Sequence, residues 1–174
     1  MKIWIVYKGK ISEKDISKKF LSYVYCQETN KKMNLDKIEY GKHGKPYYND
    51  KFFFNISHSK NYICIGTSTS EVGIDIEEER KITSGLEKRI LTIEEMMDDK
   101  INLLEYWVIK EAYSKYKGIG LRMPFNKVSI SQIKQSLNVY NLCTDKYYCY
   151  AIGQEPLEKV NIINIKDVVG DLNE

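Results

Sequence analysis

The sequence predicts an α+β protein made of two similar halves. Three observations carry this. Short runs with alternating apolar residues recur along the chain, as half-buried strands require. Two longer stretches, 13–26 and 101–116, read as helices. Parts of the chain also resemble each other at half-chain offset: Lys60-Asn61-Tyr62-Ile63-Cys64-Ile65-Gly66 is similar to Lys146-Tyr147-Tyr148-Cys149-Tyr150-Ala151-Ile152-Gly153 with one insertion. Val72-Gly73-Ile74 likewise matches Val160-Asn161-Ile162. Each helix precedes its own set of strands. The alternative is chance likeness between tyrosine-rich strands.

Element by element, 2–7 is a strand and 13–26 a helix. Residues 39–50 form a loop punctuated by Gly41, Gly44 and Pro46. Strands follow at 52–56, 62–67 and 72–77, and the short polar link 68–71 makes the last two a hairpin candidate. Residues 85–99 are partly helical and 101–116 strongly so. Further strands fall at 127–131, 136–143, 147–152 and 160–165. The division this suggests is an N-terminal α+β half at 1–83 and a C-terminal α+β half at 84–174. Opposite Asp75 and Glu77 the second half carries Ile163 and Ile165. One half alone then brings acids, which implies one active site at the junction.

Composition bounds the function. The chain has 174 residues, 43% of them hydrophobic, enough for a packed core. Its 27 basic and 24 acidic residues give a net charge of +3, too little for a nucleic-acid footprint. Cys26, Cys64, Cys143 and Cys149 have no metal-ligand spacing, and Cys64 and Cys149 sit in apolar runs that would bury them. The apolar start is too short for a signal peptide, and no run reaches the ~20 apolar residues of a membrane span. The expectation is a cytoplasmic protein with reduced thiols.

Two runs bear chemistry. In Val72-Gly73-Ile74-Asp75-Ile76-Glu77, strand alternation puts Asp75 and Glu77 on one face, roughly 7 Å apart at Cα, where both can reach one hard cation. An exposed acidic pair on the polar side of an antiparallel sheet is the alternative. In the helix at 101–116, Leu104, Val108, Glu111 and Lys115 fall on nearly one line. Glu111 and Lys115 therefore lie in the apolar stripe, where a charge needs a compensating partner. A plain i,i+4 salt bridge would not explain that position. Three acids with a lysine beside them suit metal-assisted phosphate chemistry. Asn55-Ile56-Ser57-His58-Ser59 ends a strand with groups able to meet an anion, and Lys45-Pro46 presents a lysine on a stiffened loop.

In order, Gly44-Lys45-Pro46, Phe54-Asn55-Ile56-Ser57-His58-Ser59, Val72-Gly73-Ile74-Asp75-Ile76-Glu77 and Trp107-x-x-Lys110-Glu111-Ala112-x-x-Lys115-x-x-Gly118-x-Gly120-Leu121 resemble the 4′-phosphopantetheinyl transferases of the surfactin-synthetase-activating type. The resemblance covers about residues 39 to 131. It implies two α+β halves in a pseudo-twofold arrangement, and transfer of phosphopantetheine from coenzyme A to a serine of an apo acyl or peptidyl carrier protein. It implies Mg²⁺ held by Asp75, Glu77 and Glu111. Lys115 would contact a phosphate at the reacting end. On chemical grounds Glu111 is the best candidate for the base, directly or through metal-bound water. Ser57 and His58 would bind nucleotide phosphate, and Lys45 and Pro46 the adenine side. The chain before Gly44 is shorter than in the family, whose basic residues there grip the 3′-phosphate; Lys18 on the first helix is the preferred substitute, with Lys14 and Lys19 beside it. A carrier surface is sought among Ile90, Leu91, Met96 and Met97. A pseudo-dimer of this kind would be a monomer.

Overall fold

The computed structural model describes residues 1–48, 51–83 and 85–170. Chain order is β1 (Lys2–Tyr7), α1 (Glu13–Thr29), β2 (Ile38–Tyr40), β3 (Pro46–Tyr48), β4 (Phe53–Ser59), β5 (Tyr62–Ser68), β6 (Val72–Glu78), α2 (Glu87–Ile90), α3 (Leu103–Lys117), α4 (Ile130–Ser136), β7 (Asn138–Asn141), β8 (Tyr147–Gly153), β9 (Lys159–Ile163) and α5 (Ile165–Val169). The mixed α+β class is as the sequence predicts. No helix among the described residues is long and apolar enough to cross a membrane.

Two sheets carry the molecule. One has the order β4-β5-β1-β9, the other β6-β8-β7, and β2 and β3 form a separate hairpin. With β2, β3, α2 and α4 set aside, β1-α1-β4-β5 and β6-α3-β7-β8 follow the same order, and β5 and β8 are each the strand between the other two of their unit. The expected hairpin of 62–67 with 72–77 does not form. β5 pairs with β1 and β4, whereas β6 pairs with β8, so the link at 68–71 carries the chain from one sheet to the other. A four-residue polar link reads the same in either case. A boundary at 83/84 therefore cuts behind a strand whose hydrogen-bonded partner lies at 147–153, while β9 pairs in parallel with β1.

Alternation explains the layers. Trp4, Val6, Phe54, Ile63 and Ile65 pack under α1, whose Ile16, Phe20, Leu21 and Val24 face them. On the other face of that sheet, Ile3, Ile5 and Cys64 meet Val72, Ile74, Ile76, Cys149 and Ala151 of the second sheet. There the rings of Tyr62 and Tyr147 approach to 4.8 Å and the sulfurs of Cys64 and Cys149 to 3.8 Å. The far face of the second sheet, with Tyr150 and Ile152, packs on Leu104, Val108 and Ala112 of α3 and on Ile130 and Ile133 of α4. Asn102 caps α3 by accepting from the amides of Leu104 and Glu105, and Gly118 ends it in the left-handed conformation.

Several boundaries differ from the sequence reading. Ser57-His58-Ser59 lies inside β4 rather than in a turn after it. In place of a strand at 127–131, a Ser129 capping box starts α4. Residues 85–99 hold only the short α2 and a 3₁₀ turn, Glu95–Met97. The loop at 39–50 contains the β2-β3 hairpin.

Candidate active site

Gly73 brings the two chemical runs together. It shares a face with Asp75 and Glu77, and α3 lies directly on it: a Cβ built at Gly73 would stand 2.0 Å from the Ala112 carbonyl oxygen and 2.4 Å from the Tyr116 nitrogen. Only glycine admits that approach. The polar face of β6 is therefore the face under the helix, and Asp75 is only 4% exposed. The alternative of an exposed acidic pair does not hold for Asp75. From above, Lys115 Nζ donates to Asp75 Oδ1 at 2.6 Å and to Ser57 Oγ at 2.8 Å. Glu111, half-buried on the preceding turn, has its carboxyl pushed up to about 7 by burial first and then by the negative charges of Asp75 and Glu77, which Lys115 offsets in part.

β4 supplies the rest. The edge of β6 away from β8 is closed by side chains instead of a strand. Asn55 Oδ1 accepts from the Ile74 amide at 3.0 Å, Ser57 Oγ from Ile76 at 3.3 Å, and Ser59 Oγ from Glu78 at 3.0 Å. The two hydroxyls also donate to the acids, Ser57 to Asp75 Oδ1 at 2.7 Å and Ser59 to Glu77 Oε2 at 2.9 Å. Ser57 is thus buried and committed to the acid cluster. His58, the next residue, points to the opposite face of the sheet, where Nε2 lies 2.8 Å from Glu13 at the start of α1. Strand alternation thus separates Ser57, on the acid cluster, from His58, on the α1 side. Lys14, Lys18 and Lys19 are exposed on α1.

Lys45 is a strut. Its ammonium donates to Glu71 Oε2 at 2.5 Å, the Val72 carbonyl at 3.1 Å and the Tyr116 carbonyl at 3.4 Å. It thereby ties the β2-β3 loop to the start of β6 and the end of α3. A cavity of about 410 Å³ opens there, lined by Lys45, Pro46, Tyr47, Phe53, Phe54 and Gly118 among others.

The fit to a divalent cation rests on the donor set. Asp75, Glu77 and Glu111 offer hard oxygens, and Asp75 Oδ2 is buried with no hydrogen-bond partner. As placed, no three such side chains among the described residues close around one ion. The Lys115 ammonium and the Ser57 hydroxyl occupy Asp75 Oδ1, and the Ser59 hydroxyl occupies Glu77 Oε2. The residue types and the orphaned oxygen of Asp75 fit the ion.

Two residues carry more than the sequence indicated. Ser59 binds Glu77; strand alternation, applied to 57 and 59 as it was to 75 and 77, would have found it. Lys110 lies in the helix motif and is fully buried, donating to Glu95 Oε2 at 2.5 Å and to the Ile90 and Phe125 carbonyls at 2.7 and 3.1 Å. Of the expected carrier-surface residues, Ile90 and Leu91 are core, whereas Met96 and Met97 are exposed.

The site thus joins Asp75 of a strand to Lys115 of a helix, with the Glu111 carboxyl raised by Asp75 and Glu77 nearby. Residues 71–163 match the 4′-phosphopantetheinyl transferase superfamily, and the chain belongs to that family. It is 34% identical over 100 residues to the 4′-phosphopantetheinyl transferase Sfp of Bacillus subtilis (strain 168), covering 53% of this chain and 44% of that protein. It is 36% identical over 103 residues to the 4′-phosphopantetheinyl transferase HetI of Nostoc sp., covering 49% and 43%. It is 30% identical over 119 residues to the L-aminoadipate-semialdehyde dehydrogenase-phosphopantetheinyl transferase of Candida glabrata, covering 57% and 46%. The chain spans less than half the length of these relatives.

Proposed function

We propose that the chain transfers 4′-phosphopantetheine from coenzyme A to a serine of an apo acyl or peptidyl carrier protein, releasing 3′,5′-ADP, as a monomer in the cytoplasm, in the service of secondary metabolism. The observation that carries this is the convergence of Asp75, Glu77, Glu111 and Lys115 where α3 crosses β6 at Gly73, inside the stretch that matches the family.

In this reading the adenine occupies the aromatic cavity behind Lys45 and Pro46. From Val72 to Asp75 along β6 is on the order of 10 Å, a span suited to the distance from base to pyrophosphate. Lys18 and His58, on the α1 side, would meet the 3′-phosphate, with Ser57 acting through the acid cluster. Asp75, Glu77 and Glu111 would hold Mg²⁺, which when bound neutralises charge on the pyrophosphate. Glu111, one turn before Lys115 on α3, would take the proton of the carrier serine, directly or through a bound water. That oxygen bonds to the β-phosphorus while the bond to 3′,5′-ADP breaks. Lys115, held by Asp75 and Ser57, stands ready to donate to a phosphate oxygen as charge develops.

Two halves in a pseudo-twofold arrangement belong to the same proposal, with one site at their junction. Support comes from the middle strands of the two units, β5 and β8, which meet through Tyr62 with Tyr147 and Cys64 with Cys149. On this reading the first unit ends before Glu71 rather than at 83.

The test is to incubate the chain with coenzyme A, Mg²⁺ and an apo peptidyl carrier protein and to weigh the carrier. A gain of one phosphopantetheine, lost when EDTA removes the metal, is the expected result. An unmodified carrier across apo acyl and peptidyl carriers would refute the proposal.

A further inference from the structure

The two serines of β4 make the same pair of bonds, one residue step apart on each strand face. Ser57 donates to Asp75 and accepts from the amide of Ile76; Ser59 donates to Glu77 and accepts from the amide of Glu78. A hydroxyl has one donor and two acceptor positions, so each can make both bonds at once. Each acid is thus fixed by its neighbouring strand, carboxylate and following backbone together. Ser59 is buried at 8% exposure, while the Glu77 side chain is 23% exposed, with Arg80 at 3.6 Å from its other oxygen.

We propose that Ser59 is a positioning residue for the acid site: its hydroxyl holds the Glu77 carboxylate beside Asp75, in the orientation that receives the divalent cation. This rests on the transferase reading for the identity of the cation. A hydroxyl that merely fastened β4 to β6 would change stability alone. One that orients a ligand changes metal affinity, by ~10-fold or more for partners of this kind.

The experiment measures Mn²⁺ binding by electron paramagnetic resonance, with coenzyme A present, beside a thermal melt and single-turnover transfer. Ser59→Ala is expected to weaken Mn²⁺ binding by about tenfold, and Ser59→Thr, which keeps the hydroxyl on a side chain suited to strands, to restore it. If the alanine variant does not fold, Ser59→Cys, similar in size with a weaker donor, is expected to show the same loss. Mn²⁺ binding unchanged in the folded variant, whatever its melt, overturns the proposal. The wild type separates the two readings. A wild type that binds Mn²⁺ but does not modify the carrier sinks the transferase reading, and the serine variants still decide on Ser59. A wild type that binds no Mn²⁺ overturns the role of Ser59 itself.

Discussion

At Gly73 one hydrogen atom stands where any other residue would place carbon inside the backbone of α3. Gly73→Ala must push the helix off β6, and the helix carries Glu111 and Lys115. Overpacking of this kind costs ~1–3 kcal/mol or more, so the melt should fall and transfer should be lost together; a variant that melts lower yet transfers at the wild-type rate would separate the helix contact from the site. Asp75→Ala should also lose both. Its removal takes the acceptor of the Ser57 hydroxyl and the counter-charge of the Lys115 ammonium, which keeps only Ser57 Oγ, at a cost toward the low end of ~3–5 kcal/mol, because the Lys115 side chain keeps 25% exposure. Denaturant titration beside carrier modification checks this, and an unchanged midpoint would contradict the burial of Asp75. Glu111 gives a pH dependence. Its carboxyl is raised from 4.5 to about 7, so the fold holds the proton more tightly than the unfolded chain does. That contribution is full below about 4.5 and lost as pH rises through about 7. Metal-free protein should therefore melt lower at pH 8 than at pH 5, and Glu111→Gln, uncharged throughout, should flatten that part of the curve. An identical slope in both proteins would assign the effect to other groups. The acids and the lysine were legible in the sequence because strand and helix periods place them by counting. The burial of Asp75 was not, because it depends on which layer covers that face.

Among the elements, the least exposed ion pair belongs to α3 and the segment that wraps it. Lys110 joins α2, the 3₁₀ turn of Glu95 and the 3₁₀ turn of Phe125 through three acceptors, and Glu95 in turn accepts from the amides of Thr92 and Ile130. Burial pushes the Lys110 ammonium down from its usual range. It pushes the Glu95 carboxyl up, but the bonds from Lys110 and the two amides outweigh that and hold it below its usual value. Lys110→Ala leaves Glu95 buried without its cation and should cost ~3–5 kcal/mol, whereas Lys110→Met with Glu95→Gln should cost less than the single change. Urea midpoints for the single and double variants test this, and strict additivity would mean the two do not interact. Sequence spacing marked Lys110 as part of a motif, but its partner lies 15 residues away across irregular chain, where no period operates. The same limit explains the misread link at 68–71. The lengths of β5 and β6 follow from alternation, but their pairing partners are set by which sheet each joins.

For the molecule as a whole, the question is whether two halves can unfold separately. β6 runs between β5 and α2 in the chain but hydrogen-bonds to β8, while β9 returns from the far end to lie beside β1. Val72, Ile74 and Ile76 complete a core with Ile3, Ile5 and Cys64 of the other sheet, so neither sheet keeps its inner face dry without the other. Breaking either sheet exposes that shared core and strips β6 of the β4 side chains along its edge. One cooperative transition is expected. The two tryptophans report on opposite layers, Trp4 under α1 and Trp107 on α3 against Phe125. Single-tryptophan variants, Trp4→Phe and Trp107→Phe, should each give a fluorescence transition in urea that coincides with the circular dichroism of the same variant, and the denaturant slopes of the two should agree. A transition at Trp107 that ran ahead of the loss of secondary structure would mean that the α3 layer melts as a unit of its own, and that the crossing strands do not couple the halves.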